Sequence, residues 1–371
     1  MKKVLVTGGA GFIGSHVVDS LIRKGYRVTV FDNLEKQVHP GGLPDYYNLK
    51  AEFIRGDVRK KRQLRDAVKE CDAIIHLAAA VGVGQSQYMI SKYVESNIQG
   101  TANLLDILVN TKHRVRKLVV ASSMSIYGEG LYSCGKCGKV KPPLREFSGS
   151  GTGSWEPECP CCKGKLSPVP TNEDTPLVSN SIYAVSKKEQ EEMSLLIGRT
   201  YGIPVTALRF FNVYGPRQSL SNPYTGVAAI FLSRIKNGNP PVIYEDGLQT
   251  RDFIWVEDIA DACILSMEKE EADYRVYNVG SGRPVSILEI AGTLINLLGV
   301  KGISPEVTFT FRKGDVRHCF SDTSRIRNEL GFEPSVSFGE GMKRLITWSR
   351  KAVSEDRFLK ASSELKKRGL I

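Results

Sequence analysis

The chain has 371 residues, 41% of them hydrophobic and 25% charged, enough for one large or two modest cored domains of ordinary globular composition. It holds no run near eighteen apolar residues and enters a strand-like segment at once, which predicts no membrane span, no signal peptide and a cytoplasmic protein. The net charge of +11 is scattered, and its small clusters at Arg59–Arg62 and Lys366–Arg368 lack interleaved aromatics, so they read as solvated helix faces and argue against nucleic acid as a partner.

Lys3–Thr7 is a short, β-branched apolar run, the mark of a buried strand. It breaks into Gly8-Gly9-Ala10-Gly11-Phe12-Ile13-Gly14, then into Ser15–Ile22 with helical apolar spacing, then into a strand from Arg27 to Phe31 that ends on Asp32. Strand, glycine turn, helix, strand and terminal acid is the dinucleotide-binding order. Gly9 and Gly11 leave backbone N–H groups open to a pyrophosphate, and Gly14 lets the helix lie close on the strand. Asp32 can accept from both ribose hydroxyls and repels a 2′-phosphate, which favours NAD over NADP. A glycine turn in some other α/β protein is the competing reading.

Glu52–Val58 reads as a third strand whose Asp57 sits at the carboxyl edge, either against an adenine or as a surface acid. Gln63–Glu70 is a predicted helix and Ala73–Ala79 a fourth strand, small enough at its end to pass close to a cofactor. His76 within it reads as a packed core histidine. Tyr93–Val109 has helical periodicity and Lys117–Ser123 is a fifth strand. This alternation predicts a parallel, doubly wound α/β sheet with ligands at the carboxyl ends of its strands, where Ser122 and Ser123 lie.

Residues 130–170 interrupt the pattern and are rich in Gly, Ser, Pro and Cys. Of eight cysteines, Cys71, Cys263 and Cys319 stand apart as core thiols. Cys134 and Cys137, then Cys159 and Cys162, form two C-x-x-C pairs that match a zinc ribbon, with Cys161 as the spare and Gly138 and Gly164 easing the turns. Four thiolates close the shell and leave no place for water, so such a zinc is structural. Reduced, unmetallated thiols are the alternative.

A helix resumes near Ser181, with Tyr183 and Lys187 at i and i+4 on one face. An adjacent ammonium is expected to lower the phenol pKa and make Tyr183 a general base for a sugar or steroid hydroxyl. Later come predicted helices at Gly226–Asn237 and Ser286–Leu298, strands at Pro241–Tyr244 and Val307–Phe311, and a charged, mostly helical Glu340–Ile371. The division expected is 1–205, a nucleotide-binding domain interrupted by 130–170, and 206–371, holding the last sheet strands and a smaller substrate-binding part.

These segments together resemble the extended short-chain dehydrogenase/reductases of the nucleotide-sugar-modifying group, over nearly the whole chain apart from the cysteine segment. The match lies in Thr7–Gly14, Asp32, Gly56-Asp57-Val58, His76–Ala79, Asn97, Ser122-Ser123, Tyr183–Lys187, Leu208–Arg217, Arg251-Asp252-Phe253 and Asn278-Val279-Gly280. The resemblance implies a Rossmann fold and NAD held by Gly8, Gly11, Phe12, Ile13, Gly14, Asp32, Asn33, Asp57, Val58, Leu77, Ala78, Ala79 and Lys187. It implies Tyr183 as base, Lys187 on the nicotinamide ribose, Ser123 on the reacting hydroxyl, and Asn212, Arg251 and Arg312 on a nucleotide diphosphate. Dehydratases of this family carry an acid pair after the serine or threonine, and decarboxylases a carboxylate at the second position. Met124 and Ser125 stand there, leaving transient oxidation and return of the 4-position, a 4-epimerisation. The insert resembles one in bacterial dTDP-L-rhamnose 4-epimerases, which points to a deoxysugar nucleotide. UDP-glucose or UDP-N-acetylglucosamine is the alternative substrate, and a non-catalytic NAD sensor that binds nucleic acid or a partner through the zinc ribbon is the alternative class. Family members often pair through helices like 93–109 and 183–199, which implies a homodimer.

Overall fold

The computed structural model describes residues 2–145 and 155–371. Seven parallel strands form one sheet in the order Val276–Val279, Val205–Phe210, Lys117–Ser123, Ala73–His76, Lys3–Thr7, Arg27–Asp32 and Glu52–Arg55. The order reverses beside Lys3–Thr7, and the crevice there opens at the strands' carboxyl ends. Strand alternation sorts the core into two layers. Val4, Val6, Val119 and Ala121 face the Phe12–Arg23 and Val256–Glu268 helices, while Leu5, Leu118 and Val120 face the Lys61–Val68, Gly100–Asn110 and Ile182–Tyr201 helices.

Several boundaries differ from the sequence reading. The third strand stops at Arg55 because Gly56 packs its backbone against the Phe31 ring, where an added Cβ would sit 2.3 Å from that ring. The fourth strand ends at His76, and Leu77–Ala79 leave the sheet to pass over the glycine turn. Instead of one helix over Tyr93–Val109, a short turn at Ile90–Tyr93 runs into a π-helical stretch at Val94–Gln99 before the α-helix Gly100–Asn110. The π stretch turns Asn97 inward, a case of a bulge serving a site.

Beyond the main sheet, Asn212–Tyr214, Thr250–Trp255, Pro284–Ser286 and His318–Cys319 build a second, four-stranded sheet. It carries its own apolar core, in which Tyr214, Phe231, Phe253, Trp255, Leu294 and Leu345 are buried. The expected strand at Pro241–Tyr244 shrinks to Val242–Ile243, paired with Glu306–Val307.

Within 130–170, Leu131–Cys134 pairs antiparallel with Gly138–Val140 and with Leu166–Val169. Residues 146–154 of that interruption fall outside the described residues. The small sheet is tied to the body by Gly130 N–H to His318 carbonyl at 2.9 Å and by Leu131 N–H to Thr171 Oγ1 at 3.1 Å. No helix among the described residues is long and apolar enough to cross a membrane.

Candidate active site

The glycine turn is shaped by contacts that a side chain would break. Gly8 takes a left-handed φ of 71°, and a Cβ on Gly14 would lie 2.1 Å from the Gly8 carbonyl oxygen. Gly9 serves packing more than ligand approach, since its Cβ would meet Val30 at 2.9 Å. The Phe12–Arg23 helix opens on Gly11 with no side-chain cap and no acid in its first turn. Its leading N–H groups and dipole thus remain available to an anion, as a pyrophosphate requires.

Asp32 is buried and accepts from Ala10 N–H at 3.1 Å and Leu34 N–H at 2.9 Å, so it shapes the turn as well as facing the crevice. Asn33 donates to Asp57 at 3.1 Å, joining two of the expected cofactor residues. Burial alone would raise the Asp57 carboxyl, but hydrogen bonds from Arg59 and Asn33 prevail and hold it at about 2. The Val58 carbonyl accepts from Asn103, and Ala78 N–H reaches Thr7 Oγ1, which brings Leu77–Ala79 alongside Gly8. Phe12 stacks edge-on against His16, and Ile13 packs on the core beside it.

Ser123 ends its strand, and Tyr183 and Lys187 lie one turn apart on the helix capped by Ser181, whose hydroxyl accepts from Ala184 N–H at 3.1 Å. The Ser123 hydroxyl accepts from Ser125 N–H at 3.2 Å and from Ser125 Oγ at 2.9 Å. Burial pushes the Tyr183 phenol above its ordinary pKa, and the neighbouring Ser123 hydroxyl pulls it back in part. The expected lowering by Lys187 is not found. Burial brings the amine itself down to about 7, and its hydrogen bonds go to the Ala121 carbonyl at 2.7 Å and Gln190 Oε1 at 2.9 Å.

From Lys187 a buried chain runs under the site. Gln190 donates to Thr101 Oγ1 at 2.7 Å, His76 meets the same hydroxyl at 3.1 Å, and Thr7 meets the other His76 nitrogen at 2.7 Å. Lysine can only donate, so Gln190 turns its oxygen to Lys187 and its amide to Thr101. Thr101 gives its single hydrogen to the Asn97 carbonyl at 2.7 Å and accepts from both neighbours. His76 is thereby fixed as the Nε2–H tautomer, and burial, then the Lys187 charge, pushes its pKa down to about 3. It is a core histidine, as expected, but one bonded to the site.

Asn97 completes the support. Its amide grips Ala80 by both the N–H (2.7 Å) and the carbonyl (3.0 Å) and donates to Ser186 Oγ at 2.9 Å. Ser186 in turn donates to the Tyr183 carbonyl at 2.8 Å.

Asn212 Oδ1 is buried without a hydrogen-bond partner among the described residues, an acceptor left unsatisfied by the chain. Arg251 and Arg312 converge on one carboxylate, each 3.1 Å from Asp315, through Oδ1 and Oδ2 respectively. Arg251 also spends its Nη groups on the Thr250, Val316 and Arg317 carbonyls, so it braces the loop. Arg312 stacks on Tyr244 and is the more accessible of the two. Asp315 escaped the sequence reading, as did a buried ion network of Glu129, Arg145, Glu245 and Arg317. Its partners lie too far apart in the chain for spacing to reveal them.

The ligand atoms of Cys134, Cys137, Cys159 and Cys162 lie within 4.8 Å of one another. The backbone N–H of Cys162 chiefly holds the Cys159 thiol down to about 6, and those of Lys136 and Cys137 lower Cys134. Four sulfurs at that spacing, two of them favoured as thiolates, suit a tetrahedral metal. Gly138 turns with φ 73° as expected, but the second turn places Lys163, not Gly164, in the left-handed region. Gly164 lies close to the sulfurs instead, an added Cβ falling 3.3 Å from Cys162 Sγ.

Comparison with known proteins fits this geometry. A model of the NAD dependent epimerase/dehydratase family matches residues 4–148 and 158–280. A dTDP-L-rhamnose 4-epimerase of Burkholderia thailandensis is 35% identical over 94% of each chain. The UDP-glucose 4-epimerase of Thermotoga maritima, solved with UDP-glucose, superposes with a TM-score of 0.77 at 31% identity, covering 94% of this chain and 99% of that one. The UDP-glucose 4-epimerase of Thermus thermophilus, solved with NAD, gives 0.75 at 30% identity over 95% and 100%.

Proposed function

The chain belongs to the NAD dependent epimerase/dehydratase family, and within it we propose that it is a nucleotide-sugar 4-epimerase acting on dTDP-L-rhamnose or a related deoxysugar. The observation that carries this is the nearness of the Ser123 hydroxyl to the Tyr183 phenol, whose pKa it lowers, with Met124 and Ser125 following where elimination or decarboxylation would need carboxylates. The bare Phe12–Arg23 helix start, the glycine turn and Asp32 suit NAD. Bound there, NAD supplies the acceptor and donor of hydride at the sugar 4-carbon. Tyr183 takes the 4-hydroxyl proton and gives it back on the other face of the transient 4-keto sugar, with Ser123 holding the oxygen. Lys187 keeps one N–H free of Ala121 and Gln190 for the cofactor ribose. Asn212 and Arg312 contact the diphosphate, and Arg251 steadies Arg312 through Asp315.

UDP-glucose or UDP-N-acetylglucosamine is the second reading, favoured by the Thermotoga likeness. The protein incubated with dTDP-L-rhamnose, UDP-glucose and UDP-N-acetylglucosamine, with products read by proton NMR, separates them. Inversion at C4 of dTDP-L-rhamnose alone supports the deoxysugar reading, and turnover of none defeats the enzyme. The four clustered cysteines hold one structural zinc in this reading. Apolar Ile90, Val94, Val185 and Leu196 stay exposed on the Ile90–Gln99 and Ile182–Tyr201 segments, which supports a homodimer through those helices. Sedimentation at a monomer's mass would refute that pairing.

A further inference from the structure

The cysteine-bearing insert reaches well past its own small sheet. Arg145 leaves it to enter the buried network, donating to Glu129 Oε1 at 3.1 Å and Glu245 Oε1 at 2.7 Å. The same guanidinium donates to the Asp315 carbonyl at 3.3 Å and lies over the Phe311 ring, 5.3 Å from its centroid. Phe311 and Asp315 flank Arg312. Asp315 is also the carboxylate shared by Arg251 and Arg312. A second insert residue, Glu156, holds the far end of the segment through Arg317 Nε at 2.8 Å and His318 at 2.9 Å. Arg317 is fully buried and is also gripped by Glu245 and Asp246.

We infer that the insert is a clamp on the 311–317 segment, with Arg145 as a positioning residue for nucleoside-diphosphate recognition. This rests on the reading of Arg312 as a diphosphate contact. Physically, Arg145 and Glu156 pin both ends of a loop that no regular strand or helix holds between Val307 and His318. A planar guanidinium with four acceptors, the Trp155 carbonyl at 3.3 Å being the fourth, and a ring face fixes that loop more tightly than a point charge does. Ordering the loop in advance spares the entropy that nucleotide binding would otherwise cost.

The test uses the full chain with UDP and with dTDP as probes in titration calorimetry, beside steady-state kinetics and bound-NAD content. Arg145→Gln should weaken both nucleoside diphosphates and raise KM about tenfold, with kcat changed less than about twofold and NAD retained. Arg145→Lys should recover only part of the loss, because an ammonium cannot span Glu129, Glu245 and Asp315 together. Should Arg145→Gln not fold, Glu156→Gln, on a partly exposed side chain, is judged by the same split. Unchanged nucleotide affinity in the folded variants, while Arg312→Ala weakens it, overturns the clamp and leaves the diphosphate reading intact. Unchanged affinity in Arg312→Ala as well removes the diphosphate reading and the clamp with it.

Discussion

Ser123 and Tyr183, separated by the whole cysteine segment in sequence, come together in the fold, where the serine hydroxyl opposes the rise that burial imposes on the phenol pKa. Ser123 closes its strand, and Tyr183 lies in the first turn of a helix capped by Ser181. Tyr183→Phe keeps the edge-to-face packing on Tyr93, whose ring centroid is 6.4 Å away, and removes only the phenol oxygen. Epimerisation is expected to fall by about a thousandfold, within the usual range for a lost general base, with NAD still bound. A rate assay on each candidate sugar and the nucleotide absorbance of the purified variant check both halves.

Lys187 offers a test by pH. Its pKa is about 7 in the fold against an ordinary 10.5, because burial disfavours the ammonium. Below pH 7 the amine is charged in both folded and unfolded states and the burial penalty is complete. Between 7 and 10.5 the unfolded chain binds more protons, so stability rises with pH, and above 10.5 the penalty is gone. Lys187→Met should therefore gain most relative to the parent near pH 6 and least near pH 10, a change on the order of a few kcal/mol. Urea midpoints across that range measure it. A flat difference would show the amine unperturbed.

The cysteines give a chemical test. Purified protein should carry about one zinc per chain, and Cys134→Ser should lose both metal and thermal stability. Cys161→Ser should keep them, since Cys161 is outside the cluster. Elemental analysis beside a melting curve decides. Metal-free protein from a chelator-free preparation would refute the site.

Asp315 holds two arginines at once, so its removal should exceed the loss of either. Asp315→Asn is expected to raise KM for the nucleotide sugar more than the roughly tenfold rise from Arg312→Ala, with kcat little changed. Equal effects would mean that Arg251 has no part in holding Arg312.

Gly14→Ala puts a methyl where only 2.1 Å separates the new carbon from the Gly8 oxygen. Turn and helix must part, and retained NAD should drop at least tenfold after gel filtration.

The first half of the fold was legible because its signals are local. Glycines, a terminal acid and β-branched runs mark each strand and turn, and Lys117–Ser123 has the predicted bounds. The Val256–Glu268 helix gave no such signal, being buried on more than one face, so it lacks the single apolar stripe that periodicity detects. The π-helical stretch at Val94–Gln99 was hidden for a related reason: its sequence satisfies an ordinary helix, and only the tertiary demand on Asn97 widens it. At the site, spacing brought Tyr183 and Lys187 to one face. It was silent on where the lysine's hydrogen bonds go, because Ala121 and Gln190 are set by packing. Arg145, Glu129 and Arg317 were invisible for the plainest reason, that charges scattered in sequence look like surface until the fold buries them.

The file of hydrogen bonds from Lys187 through Gln190, Thr101 and His76 to Thr7 lies wholly inside the fold, and burial keeps its histidine neutral. Such a row anchors the lysine from beneath. An amine gripped at two of its three hydrogens has little freedom left, so a ligand meeting the third would find it already in place. Rigidity of that kind is settled when the chain folds and need not be settled again at each encounter.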